Sequence, residues 1–183
     1  MKKFPFILLL MAVLGGALTS CFFDDDDNDL NSDWAQENIK WYEAQTALTV
    51  GGVKFYTPIT ATWDPAAEVL MHWFNDTNNT KGNLKPLYSS QVDVKYHLSL
   101  YDGTAVDSSY LSTSPADSIL RTRLNSVVEG WAIALTHMHI GDSCRVIVPY
   151  NVGYGSSGVG DAIKPYSTLQ FDIKLVGIPA YEK

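Results

Sequence analysis

The residues best placed to do chemistry are aromatic and aliphatic rather than nucleophilic. Trp131 follows Val127-Val128-Glu129-Gly130, and Trp131, Leu135 and Met138 recur at i, i+4 and i+7. That spacing predicts a short helix with one apolar face, entered from a β-branched pair suited to a strand end. Ile140-Gly141-Asp142 closes the helix, and Ser143 to Val148, stopped by Pro149, reads as a strand. An indole at the first turn of a short helix, under an apolar sheet, would floor a pocket. The chain carries 10 Tyr, 7 Phe and 5 Trp, enough to line such a pocket with rings. Other chemistries are poorly supplied. His137 and His139 have no cysteine or carboxylate at ligand spacing beside them, so no metal site is expected. Neither a G-x-S-x-G elbow nor a phosphate-binding loop occurs.

The elements that must position this pocket are mostly strands. Gln91 to Tyr101 alternates, with Val92, Val94, Tyr96, Leu98 and Leu100 on one face. Asp102-Gly103 makes the turn into a strand starting at Ala105. Tyr110 to Asp117 is an irregular Ser/Pro-rich bulge, and Ile119 to Val128 returns as a strand. Thr168 to Ile178 is the last strand, with Leu169, Phe171, Ile173 and Leu175 inward. Upstream, Ser32 to Leu48 reads as a helix capped by Ser32 or Asp33 and stopped by Gly51-Gly52. Its stripe of Trp34, Trp41 and Leu48 is expected to pack on its own domain. Val53 to Thr60 and Glu68 to Phe74 are strands around a Thr62–Ala67 turn, and Asn75 to Asn83 is expected to be a mobile loop. The pattern is α+β, a largely antiparallel half-barrel with one short helix across a face.

Val127-Val128-Glu129-Gly130-Trp131, then Met138-x-Ile140-Gly141-Asp142, Arg145-Val146-Ile147-Val148-Pro149, Gly153-Tyr154-Gly155 and Pro165-x-Ser167-Thr168-Leu169-x-Phe171-Asp172-Ile173-x-Leu175 together resemble the FKBP-type peptidyl-prolyl isomerase domain. The resemblance runs from about Gln91 to Ile178. It implies an antiparallel half-barrel sheet wrapped on one short α-helix, here with an N-terminal helical extension. It implies an isomerase of X–Pro bonds with no cofactor and with proline-containing peptide segments as partners. Carried over residue by residue, it assigns catalytic roles to Asp107, Tyr154, Trp131, Tyr96 and Phe171. Val106, Val127, Val128 and Ile163 become substrate contacts. In this assignment a backbone N–H of the Val127–Val128 pair binds the substrate carbonyl, and Ile163 and Phe171 close the far wall. Two positions depart from the family. Val106 stands where a wall Phe is usual, and the second wall aromatic falls near Ser118 or Ile119, with Ser118 favoured by counting back from Val127. These departures leave a rival reading, a catalytically weak binding module of the same fold that holds a protein partner.

The N-terminus points to an envelope. Lys2 and Lys3 precede an apolar run from Phe6 to Leu14, and Leu18-Thr19-Ser20-Cys21 matches a bacterial lipoprotein cleavage box. Residues 1–20 are expected to be a signal peptide, with Cys21 lipidated and holding the chain to a membrane. Residues 21–31, with Asp24-Asp25-Asp26-Asp27, form an acidic tether that resembles the surface-export signal of Bacteroidetes lipoproteins. Residues 32–60 are an N-terminal helix and strand extension, and 61–183 the isomerase-type domain. The expected location is the outer membrane, facing periplasm or surface. Net charge is −7 at pH 7 with no basic cluster beyond Lys3, which excludes nucleic acid as a partner. Cys144, alternating with Val146 and Val148, faces the core as a small hydrophobe.

Overall fold

The computed structural model describes residues 29–111 and 114–179. The signal segment, Cys21 and the aspartate run lie outside the described residues. Ser32 caps helix α1 (Asp33–Ala47), its hydroxyl accepting from the Ala35 amide at 3.2 Å. Gly51 and Gly52 do not stop this helix. They form the turn of a small hairpin, β1 (Thr49–Val50) with β2 (Val53–Lys54), at φ of 60° and 81°. Positive φ at both central residues gives the twist a two-residue hairpin needs, and glycine supplies it without strain. The run from Val53 to Thr60 therefore breaks in two, and β3 (Thr57–Thr60) resumes after buried Tyr56.

The main sheet has seven strands in the order β3, β4 (Glu68–Trp73), β8 (Ser143–Val148), β9 (Leu169–Gly177), β5 (Gln91–Leu100), β6 (Ala105–Ser108), with β7 (Leu120–Arg123) also on β5. Every pairing is antiparallel. Strand β5 is long enough to pair β7 through Gln91–Val94 and β6 through His97–Ser99 on one edge. Strand β9 runs along its other edge. Because Thr57–Thr60 pairs with Glu68–Met71, the main sheet begins before residue 61.

Helix α2 (Glu129–Leu135) lies against this sheet, and here the single apolar face expected from i, i+4, i+7 spacing is exceeded. Gly130 to Leu135 are all buried. A helix apolar all round belongs inside a core. Gly130 lets it sit there. A Cβ at that position would fall 2.5 Å from Val148 Cγ1, and Val148 is itself fully buried and stiff at χ1. Val127 and Val128 are not strand residues. The strand expected from Ile119 to Val128 ends at Arg123, and a 3-10 turn, Leu124–Ser126, leads to Val128 as the N-cap position of α2.

The polar segment 75–83 is anchored rather than mobile. Asn75 Nδ2 and the Thr80 hydroxyl donate to the Asp142 carboxylate, and Asn83 Nδ2 donates to the Ile140 carbonyl at 2.7 Å. Of the α1 stripe, Trp34 and Trp41 pack on the domain while Leu48 stays exposed. Cys144 is fully buried in the core, and burial pushes its thiol pKa up.

Candidate active site

A row of side chains across three strands makes one wall of a cavity. Leu98 on β5 lies opposite Asp107 on β6 and opposite Phe171 on β9. Tyr96, two residues before Leu98, projects from the same face. Trp131, at the first turns of α2, stands beneath them. Its ring meets Tyr96 at 5.0 Å and 80°, and Phe171 at 5.3 Å and 76°. Both are edge-to-face contacts, the arrangement aromatic quadrupoles favour. Val127 and Val128 border the cavity at the entry to α2, and Tyr154 borders it from the loop after β8. The cavity is open at its mouth and has a volume of about 440 Å³, room for a small ring and its flanking peptide.

Seven of the nine pocket residues expected from sequence thus meet in one cavity. Two do not line it. Val106 neighbours Asp107 on β6 but stands at a break in the β5–β6 register, packing half-buried against the core without bordering the cavity. Ile163 is buried in the core, and its backbone pairs with Val159 across the tip of the Tyr154 loop. After the bulge it is Leu120 that borders the cavity, and Ser118 and Ile119 do not. Ser118 instead sits at φ 62° with its hydroxyl toward the Tyr110 carbonyl, and Ile119 is buried. Leu98, Leu120 and Ser126 are lining residues that sequence reasoning passed over. Leu98 carried a signal, its shared face with Tyr96. Ser126 carried none, since its hydroxyl is spent on the Arg123 carbonyl at 2.8 Å.

The polar groups at the mouth form one unit. The Tyr96 hydroxyl donates to Asp107 Oδ2, and the Ser108 amide donates to Asp107 Oδ1 at 2.7 Å. Burial, then the bond to Asp107, raise the Tyr96 pKa. Burial, then the charge of Asp107, raise that of Tyr154. Both phenols therefore remain protonated donors at neutral pH. The Tyr154 loop holds its course through glycines at positive φ. Gly158 is at φ 62°, where a Cβ would lie 2.2 Å from the Ile163 carbonyl oxygen. His137 and His139 stand apart from the cavity, with His137 Nδ1 against the Ile133 carbonyl and His139 Nδ1 3.6 Å from Asp142.

Comparison with known proteins matches residues 82–176 to the family model of FKBP-type peptidyl-prolyl cis-trans isomerases. The FKBP-type 22 kDa peptidyl-prolyl cis-trans isomerase of Escherichia coli K12 is 36% identical over 105 residues, covering 57% of this chain and 48% of that protein. The outer membrane protein MIP of Legionella longbeachae is 37% identical over 94 residues, 51% of this chain and 39% of that protein. A crystal structure of a peptidyl-prolyl cis-trans isomerase from Pseudomonas syringae superposes with a TM-score of 0.62 at 27% identity, covering 79% of this chain and 92% of that one. The chain spans about half, or less, of the length of the relatives it matches. The matched segment holds every residue that lines the cavity, and the chain belongs to the family of FKBP-type peptidyl-prolyl cis-trans isomerases.

Proposed function

We propose that the chain is a peptidyl-prolyl cis-trans isomerase of the cell envelope that assists the folding of extracytoplasmic proteins. The observation that carries this reading is the junction of Tyr96, Asp107, Trp131, Tyr154 and Phe171 around one apolar cavity. An X–Pro bond resists rotation by about 20 kcal/mol because rotation breaks amide resonance. The twisted amide has a less polar carbonyl than the planar one. A dry, ring-lined pocket therefore favours the twisted form, and water favours the planar form. In this reading the proline ring rests on Trp131, between Phe171 and Tyr96. The Tyr154 hydroxyl and a backbone N–H of the Val127–Val128 pair hold the flanking carbonyls. Asp107 fixes the Tyr96 hydroxyl and supplies negative charge beside the rotating carbonyl carbon. Only interactions stronger in the twisted state accelerate rotation, and each 1.4 kcal/mol gives about tenfold.

The test is NMR exchange of a Leu-Pro or Phe-Pro peptide at substoichiometric protein. Acceleration is expected, and Asp107→Leu should cut it roughly ten- to a hundredfold, the cost of one charge-assisted hydrogen bond. Asp107 sits at the cavity mouth, so the variant should fold. The aliphatic Leu98 and Leu120 in the wall favour the rival, a binding module. A folded chain that binds the peptide without accelerating exchange would establish that rival.

Envelope placement rests on the lipoprotein box at Cys21 and the acidic tether of the Bacteroidetes type that follows it. Cys21→Ala is expected to move the protein from the membrane to the soluble fraction of its host. Retention at the membrane would count against lipidation as the anchor. Among the described residues no helix is long and apolar enough to cross a membrane.

A further inference from the structure

Helix α1 lies outside the residues matched by the family model, yet it is bonded into the loop that carries Tyr154. Asn38, near its middle, is fully buried. Its Oδ1 accepts from the Thr168 amide at 2.7 Å, and its Nδ2 donates to the Trp34 carbonyl at 2.8 Å. The Asn38 carbonyl accepts from the Thr168 hydroxyl at 3.2 Å. One turn earlier, the Trp34 indole N–H donates to Ser167 Oγ at 3.3 Å, and that hydroxyl donates to the Lys164 carbonyl at 2.6 Å. Lys164 Nζ lies 5.2 Å from the centre of the Trp34 ring, a cation–π contact. A buried amide is costly unless its partners are met, so these bonds admit one register between α1 and segment 164–168.

Segment 164–168 is the return limb of the Tyr154 loop. Tyr166, at φ 60°, donates its amide to the Gly155 carbonyl at 2.9 Å. The Tyr166 ring meets Tyr150, at the outgoing limb, at 5.2 Å. Gly155 adjoins Tyr154, and Thr168 leads directly into β9 and Phe171. Two walls of the cavity thus hang from a segment that α1 holds.

We propose that Trp34 and Asn38 are positioning residues of the isomerase site, with α1 clipping the return limb and so setting the Tyr154 hydroxyl over the cavity. This rests on the isomerase reading above. The test uses the mature chain with Asn38→Ala and Trp34→Phe, each alone and combined with Tyr154→Phe. Trp34→Phe keeps an aromatic ring while removing the indole N–H and shrinking the ring. Two quantities are read, kcat/KM on a Leu-Pro peptide and hydrogen exchange at the Tyr166 amide. Asn38→Ala is expected to lower kcat/KM about tenfold, because small displacements of a contact group cost rate steeply. Trp34→Phe should lower it less, and in both variants the Tyr166 amide should exchange faster. In the Tyr154→Phe background the loss should shrink to about twofold or less, since groups acting through one another are not additive. Equal losses in both backgrounds, no loss, or unchanged Tyr166 protection would overturn the proposal and leave α1 as packing alone. If Asn38→Ala does not fold, Trp34→Phe and Ser167→Ala carry the same comparison. A wild-type chain that accelerates nothing would instead remove the isomerase reading, and the Tyr166 amide would still decide whether α1 holds the loop.

Discussion

Replacing Trp131 by Ala is expected to cost the fold about 3–5 kcal/mol and to reduce peptide isomerisation roughly a hundredfold or more. The indole is only 4% exposed and supports Tyr96 on one side and Phe171 on the other, both edge-on. Its removal joins a new void to the existing cavity. Water enters where a dry floor stood, and the preference for the less polar, twisted amide disappears with it. A loss of activity from a protein that unfolds would prove little, so Trp131→Phe is the companion. Among the described residues the indole N–H is buried and meets no acceptor. A buried donor without a partner carries a penalty of about 1–3 kcal/mol, and Phe removes that donor as it shrinks the ring. The two effects oppose, so Trp131→Phe should stay folded within about 2 kcal/mol of wild type. Urea unfolding and peptide exchange on both variants check this. A Trp131→Ala chain as stable as wild type would show that the indole is not the packing centre of the site.

The residues that could be placed from sequence were those governed by period. Tyr96 and Phe171 lie where β5 and β9 pair in unbroken register from Val94 to Leu100, so one registered residue orients the rest. Trp131 followed from helical spacing, whereas Asp107 and Tyr154 came with the resemblance, and all three line the same cavity. Failures occurred where period was broken. Counting back from Val127 led to Ser118 and passed over Leu120, which opens the short strand β7 ahead of the 3-10 turn Leu124–Ser126. Val106 was assigned by analogy to a wall, but it stands at a register break between β5 and β6 and packs half-buried against the core. Ile163 depends on a pairing with Val159 inside an irregular loop, which no pattern announces. On α1 the apolar stripe pointed to Trp34, Trp41 and Leu48, whereas a buried polar residue, Asn38, makes the bonds to Thr168. Apolar periodicity does not see a side-chain amide that joins a distant backbone.

Asp142→Ala is expected to cost about 3–5 kcal/mol at neutral pH, because it leaves several buried donors without their carboxylate. Asp142 is fully buried. It accepts from the Thr80 hydroxyl, from Asn75 Nδ2 at 3.0 Å and from the His139 amide at 2.7 Å. Its carbonyl accepts from the Leu175 amide at 3.0 Å, and the Gly141 amide donates back to the Leu175 carbonyl at 2.9 Å. One residue therefore ties segment 75–83, the exit of α2 and strand β9 together. Burial by itself would raise the Asp142 pKa, but the bonds from Thr80, His139 and Asn75 outweigh it and hold the carboxyl below the usual range. The folded state then binds the Asp142 proton less readily than the unfolded chain. The stability from this charge is complete above the unfolded pKa of about 3.9 and is lost as pH falls through the lower, folded value. Asp142→Asn keeps the shape but removes the charge and one acceptor oxygen, so the pH-dependent part of its deficit reports the charge. Its deficit against wild type in urea unfolding should be largest at neutral pH and should shrink on acidification below the ordinary aspartate range. A deficit that stays constant across that window would mean that geometry alone, not the charge, accounts for the stability this residue confers.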